Sequence, residues 1–242
     1  MTIAEKLTRA KADIDAVYEA GKKAEYDEFW DALQENGKRT IYNRGFSSNS
    51  WNDKTFFPKY DIKPSYGCVG TFLEFGVTDL EARLKECGVI LDLSNNANYS
   101  QTFASAKCKI LPEIAFSGFT STTYATFQNC TALHTIRKII LKDDFNATMS
   151  DAFNKCTALE NVVFEGVIPK NISLAQSVKL SKASITNIVE CLSTTASGQT
   201  ATFSKTAVDT AFETTAGAGD GSTSAEWQSL IAPKSNWTIS LV

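Results

Sequence analysis

The sequence predicts an α+β protein: a coiled-coil-like N-terminal helix, an aromatic-rich cap, a short solenoid of repeated turns and strands, and a C-terminal cap. Three observations carry this. An apolar seam runs through the first two dozen residues at alternating steps of four and three. A Cys-Thr-Ala-Leu unit occurs twice, 26 residues apart, each time behind a Phe. The last fifty residues alternate short apolar strands with amphipathic turns.

Composition sets the bounds. The chain has 242 residues, 43% of them hydrophobic and 21% charged, with a net charge of −3. That length suits one large domain or two small ones. A slightly acidic chain without Lys/Arg clusters offers no phosphate-tracking surface, so no nucleic acid is expected as a partner. No apolar run reaches the roughly 18 residues of a membrane span, so no membrane insertion is expected. The opening residues lack the apolar stretch of a secretory signal. The six cysteines include no C-x-x-C pair, which argues against a zinc or thioredoxin-type site and for buried thiols acting as small hydrophobes. No catalytic, cofactor or metal residues are nominated. His134 is the single histidine, and the sister repeat carries Glu160 in its place, which predicts a solvent-facing position.

Residues 1–37 form the first expected unit. Ile3, Leu7, Ala10, Ile14, Val17, Gly21 and Ala24 follow the heptad seam of a coiled coil. Thr2 and Glu5 fit a capping box, and Gly37 a C-terminal cap. So polar a helix is not stable alone. It either oligomerises, a parallel homotrimer being favoured, or lies on its own domain or a neighbouring protein.

Residues 38–100 form the second unit. Tyr42, Phe46, Trp51, Phe56, Phe57, Tyr60, Tyr66, Phe72 and Phe75 are interrupted by Gly and Pro, which predicts short strands and loops. Such aromatics could make a glycan-binding surface, but filling a core that covers the first repeat is the simpler use. A short helix follows, with Leu80 and Leu84 one turn apart, Thr78 as N-cap and Gly88 as terminator; "VILDLS" then reads as a strand.

Residues 101–192 hold the repeats. Aligned on Phe127 and Phe153, Cys130 and Cys156 stand at the third position after, Leu133 and Leu159 at the sixth, Ile136 and Val162 at the ninth. Looser copies are Phe103 with Leu111 and Ile114, and Leu174 with Ser177 and Leu180. Leucines 111, 133, 159 and 180 lie 21 to 26 residues apart, a period and pattern that mark leucine-rich repeats. A single unit cannot bury its apolar face, whereas stacked units bury each other's. The duplicated cysteine is therefore read as packing rather than as a nucleophile, since no histidine stands in a useful register.

"TFQNCTALHTI" and "AFNKCTALENV" resemble the bacterial leucine-rich repeats of cell-surface proteins, in which Phe-x-x-Cys-x-x-Leu-x-x-Ile recurs. Nearly the whole chain is similar to short leucine-rich-repeat proteins found among prophage tail genes of Gram-positive bacteria. The opening "MTIAEKLT…VYEAGKKAEYDEFWDALQENG", the "WNDKTFFPKYDI" segment and the closing "WQSLI…NWTISL" carry that likeness. Residues 103–111 and 174–185 depart from the regular repeat. The resemblance implies a non-enzymatic virion protein, assembled in the host cytoplasm. It would attach to tail or baseplate proteins through the N-terminal helix and bind a host-surface glycan or protein with its repeats. A virion component without a receptor role and a cytoplasmic protein-binding module are the alternatives. A glycan-cleaving enzyme finds no supporting carboxylate pair.

The end of the repeat unit, "LSKASITNIVECLS", predicts a helix with Ile185, Ile188, Val189 and Leu192 on one face. Residues 193–242 form the C-terminal cap, in which "ATFSKTAVDTAF" predicts a strand and a short helix. "TTAGAGDGSTSAEW" reads as a flexible loop, and Trp227, Trp237, Ile239 and Leu241 as the closing layer of a cap, favoured over a receptor-binding tip because the end of a stack must be shielded.

Overall fold

The computed structural model describes residues 46–48, 51–64 and 68–242. The expected N-terminal helix, with its seam from Ile3 to Ala24 and its trimer, lies outside the described residues.

Helix α1 (Leu80–Cys87) is followed by strands β1 (Ile110–Phe116), β2 (Thr135–Leu141), β3 (Asn161–Glu165) and β4 (Ile172–Leu174). Then come α2 (Lys182–Cys191), β5 (Gln199–Phe203), α3 (Lys205–Phe212), α4 (Ala225–Ile231) and β6 (Trp237–Leu241). The strands make two parallel sheets of three, ordered β1-β2-β3 and β4-β5-β6. This corrects the expected fold: the described residues form an α+β arrangement of two small parallel sheets and four short helices, not the short leucine-rich-repeat solenoid between two caps. The reason lies at β3. Instead of another strand, α2 covers its free edge. The Val162 N–H donates to Ser184 Oγ at 3.0 Å, and the Phe164 N–H to Asn187 Oδ1 at 2.6 Å; Asn187 Nδ2 returns a bond to the Phe164 carbonyl at 3.1 Å. Two polar side chains one helical turn apart thus do the work of a strand and stop the sheet. The second sheet starts elsewhere, from a parallel bridge between Met149 and Ile172.

The turns before the strands are regular. The Phe rings of successive turns stack: Phe46 on Phe72 at 5.4 Å, Phe72 on Phe103 at 5.0 Å, Phe103 on Phe127 at 5.7 Å, and Phe127 on Phe153 at 5.2 Å. The last three pairs lie within 20° of parallel, an arrangement worth about 0.5–1.5 kcal/mol per pair beyond burial. Each Phe N–H donates to the carbonyl preceding the next Phe: Phe46 to Thr71, Phe72 to Thr102, Phe103 to Thr126, Phe127 to Ala152, at 2.7–2.9 Å. Two residues on, Glu74, Ser105 and Asn129 repeat the bond to Ala104, Gln128 and Asn154. These residues and Lys155 have φ between 57° and 61°, the left-handed conformation that turns the chain back toward its strand.

Thr102 and Thr126, just before their Phe, each bond two carbonyls: Thr102 Oγ1 those of Cys68 and Tyr99, Thr126 Oγ1 those of Tyr99 and Thr123. The buried hydroxyls are thereby satisfied by carbonyls of their own and the preceding turn.

Helix α1 is capped by Asp79, whose carboxylate accepts from the Ala82 N–H at 2.9 Å. Thr78, the expected cap, instead bonds Asp53 through its N–H and hydroxyl, and Gly88 ends the helix at φ 68°. "VILDLS" makes no named strand; Leu91 forms an isolated bridge to Ile62. The 213–224 stretch is ordered by Glu213, which accepts from the Gly217 and Gly219 N–H groups, and by Asp220, which accepts from Thr214.

Candidate functional site

The repeated cysteines stand first for chemistry. None of the six cysteines is paired in a disulfide among the described residues. The Cys130 thiol donates to the Phe103 carbonyl at 2.9 Å and the Cys156 thiol to the Phe127 carbonyl at 3.0 Å, each one turn back. Cysteine is thus a small apolar filler whose weak donor adds a second bond to a carbonyl that already accepts one backbone N–H. Burial pushes the thiols of Cys68 and Cys156 up to about 12 and raises those of Cys108 and Cys130 as well. A thiol held neutral is a poor nucleophile. His134 is half-buried, as is Glu160, and its backbone carbonyl accepts from the Glu160 and Asn161 N–H groups.

Phe103, Leu111, Ile114, Phe127, Cys130, Leu133, Ile136, Phe153, Cys156, Leu159, Val162, Leu174 and Leu180 are all buried in one core. Phe46, Phe56, Phe72 and Phe75 are also buried, so these rings of the aromatic segment are core. At the C-terminal end Trp227 and Trp237 are buried, while Ile239 and Leu241 are half-buried. Among the described residues no group of three or more His, Cys, Asp or Glu could hold a metal, and no helix is long and apolar enough to cross a membrane.

A cleft of about 370 Å³ lies beside the end of α2, lined by Asn187, Glu190, Cys191, Thr194 and Lys234 among others. Buried Lys234 donates its ammonium protons to the Glu190 and Leu192 carbonyls, where the helix dipole is negative. Trp237 Nε1 and Asn236 Nδ2 both bond the Ser193 carbonyl. With the cation consumed by carbonyls and the Glu190 carboxylate at the rim, this cleft is a clasp fastening the C-terminal segment to α2 rather than an anion site.

The surface departs from the core pattern in the connection after β1. Phe119 is 62% exposed and Tyr124 55% exposed. Their loop is pinned at several points. Ser117 Oγ donates to the Asn96 carbonyl, Thr120 Oγ1 to the Ser117 carbonyl, and the Ser121 N–H to the Ala97 carbonyl. Gly118 lies so close to the next connection that a Cβ there would stand 2.0 Å from the Asp143 carbonyl oxygen. Two large rings are therefore displayed to solvent on a fixed backbone, which lowers the entropy lost on binding. Sequence reasoning passed over these two; the available signal was "SGFTSTTY", two aromatics in a small polar run with no apolar residue at helix or strand spacing. The outer face of the first sheet nearby carries ion pairs, Arg137 with Glu81 at 2.7 Å and Lys138 with Glu113 and Glu165 at 3.5 and 3.0 Å. Exposed pairs of this kind add little stability.

Compared with protein-family models, with curated proteins and with solved structures, the chain matches none of them.

Proposed function

We propose that the chain is a non-enzymatic protein of a phage or phage-like virion, a tail- or baseplate-associated adhesin that presents an aromatic loop to the host surface. The observation that carries this reading is the pair Phe119 and Tyr124, exposed on a pinned loop while the described phenylalanines of the ladder are buried. Rigid exposed aromatics supply contact area at low entropic cost and suit both sugar rings and protein surfaces. The duplicated cysteines support a non-catalytic role, since each is committed to a packing hydrogen bond. The likeness of the opening and closing stretches to phage tail-region proteins supports the virion setting. Residues 1–37 would join the copies, most simply as a trimer, and attach them to other tail or baseplate proteins; linked copies convert weak single contacts into avidity.

The test is binding of the fluorescently labelled full chain to a panel of intact Gram-positive cells. Wild type is expected to decorate at least one strain, and the Phe119→Ser/Tyr124→Ser double variant to lose at least about tenfold in apparent affinity while its urea midpoint stays unchanged. Decoration of cells that survives the double variant would remove the loop from the reading. A full chain that assembles into particles yet decorates no cell would mark a virion component without a receptor role.

A further inference from the structure

We propose that the gap between the turn at 150–154 and the turn at 173–176 is a subsite for one neutral sugar unit, an inference that rests on the recognition reading above and names a second contact for the same ligand. The gap measures about 210 Å³ and is lined by Ser150, Asp151, Phe153, Asn154, Ser173 and Gln176, with one alanine. It exists because the stacking rule fails at this one step. In the preceding turns each Phe N–H is consumed by the following turn; the Phe153 N–H meets no acceptor among the described residues. The next expected bond is also displaced: the Lys155 N–H donates to the side chain of Gln176, at 2.7 Å, rather than to a backbone carbonyl. On the same following turn the buried Ser177 hydroxyl has no partner. The turn at 173–176 thus stands off from its neighbour and leaves polar groups unspent.

Those groups define the ligand. The donors are the Phe153 N–H and the amide NH2 groups of Asn154 and Gln176, neither of which is used in a side-chain hydrogen bond among the described residues. The acceptors are the Asp151 carboxylate and the side-chain Oδ1 of Asn154. An anion would face Asp151 with no lining cation to offset it. A cation would leave every donor unanswered. Neighbouring hydroxyls on one ring donate and accept at once, and so satisfy both sets. The volume lies below the roughly 300–1,000 Å³ of sites for drug-sized ligands, which fits one ring rather than an oligomer.

The experiment is saturation-transfer NMR and calorimetry on the full chain with free glucose, galactose, rhamnose and N-acetylglucosamine. At least one sugar is expected to bind with Kd of about 1–10 mM. Asn154→Ala should weaken it about tenfold or more, and Ser173→Leu, which fills the gap, should abolish it, with the urea midpoint of Asn154→Ala equal to wild type. Absence of any sugar binding overturns the subsite, as does binding that neither variant alters. The recognition reading is separately scored: cell decoration lost only in the loop variant, with no sugar binding, overturns the subsite alone. Sugar binding at the gap without decoration of any cell overturns the adhesin alone.

Discussion

Ser177 offers the sharpest test of the packing argument. Its N–H donates to the Leu174 carbonyl at 3.0 Å, as Cys130 does to Phe127 at 3.2 Å and Cys156 to Phe153 at 3.1 Å. Ser177 therefore occupies the thiol position of its turn. It is fully buried, yet its hydroxyl has no partner. The corresponding acceptor is the Phe153 carbonyl, and the shorter C–O bond of serine does not reach as far as a thiol. An orphaned buried hydroxyl costs about 1–3 kcal/mol. Ser177→Ala removes that cost and should stabilise the chain by about 1 kcal/mol. Ser177→Cys should do as well or better, by restoring the donor seen at Cys130 and Cys156. The reverse change, Cys130→Ser, should destabilise by about 1–2 kcal/mol. Urea unfolding followed by tryptophan fluorescence reads all three, with a shifted midpoint at constant slope; each kcal/mol also moves Tm by roughly 2–4 °C in a chain of this size. Ser177→Ala less stable than wild type by more than about 0.5 kcal/mol would mean the hydroxyl is satisfied, and the argument about the thiol position would fail.

Two further outcomes follow from the turns. Lys155 is exposed at φ 61°, so Lys155→Gly should be neutral or stabilising by up to about 1 kcal/mol, while Lys155→Val should cost about 1–2 kcal/mol; the same urea titration checks both. Burial raises the thiols of Cys68 and Cys156 to about 12, so in the folded chain they stay protonated where an unfolded thiol ionises. The stability this contributes is fully present below about pH 8.5 and is lost as pH rises toward 12, by up to roughly 1.4 kcal/mol per pH unit for each thiol. Unfolding midpoints from pH 7 to 11 should fall accordingly, less steeply in Cys156→Ala, and iodoacetamide at pH 8 should label half-buried Cys87 and Cys191 before the four buried cysteines.

The local elements were largely legible and the way they assemble was not. The helix expected over 180–193 is present as Lys182–Cys191 with Ile185, Ile188 and Val189 buried, because its apolar spacing is helical and Ser181 can cap it. The Phe spacing at 127 and 153 also marks a stacked pair. Phe72 and Phe46 belong to the same stack but fell inside the segment read as a cap. Phe75 and Ala106 stand where later turns carry Cys, and α1 stretches the interval from Phe72 to Phe103, so the period was hidden. The Thr-Phe pairs at 71–72, 102–103 and 126–127 were the readable trace. Two separate sheets could not be read, because they depend on Ser184 and Asn187 facing β3. Both are ordinary polar residues of a helix until their neighbour is known.

Regularity and binding compete in this architecture. Where Phe, Thr and the left-handed residue recur, the Phe N–H and the N–H two residues on are taken by the next turn, and little is left for a ligand. The sequence departs from that pattern at Leu174 and Ser177, and there the Phe153 N–H is released and the Lys155 N–H is met by the Gln176 side chain instead of a backbone carbonyl. The same trade appears after β1, where Phe119 and Tyr124 face outward and polar pins hold the loop instead of apolar packing. A change that restores the repeat should therefore tighten the fold and weaken recognition together. Replacing Leu174 with Phe in the Ser177→Cys background would draw the turn at 173–176 onto its neighbour. It should raise the urea midpoint while abolishing sugar binding at the gap. A tighter fold that still binds sugar there would separate the two properties and refute this link between the broken stack and the site.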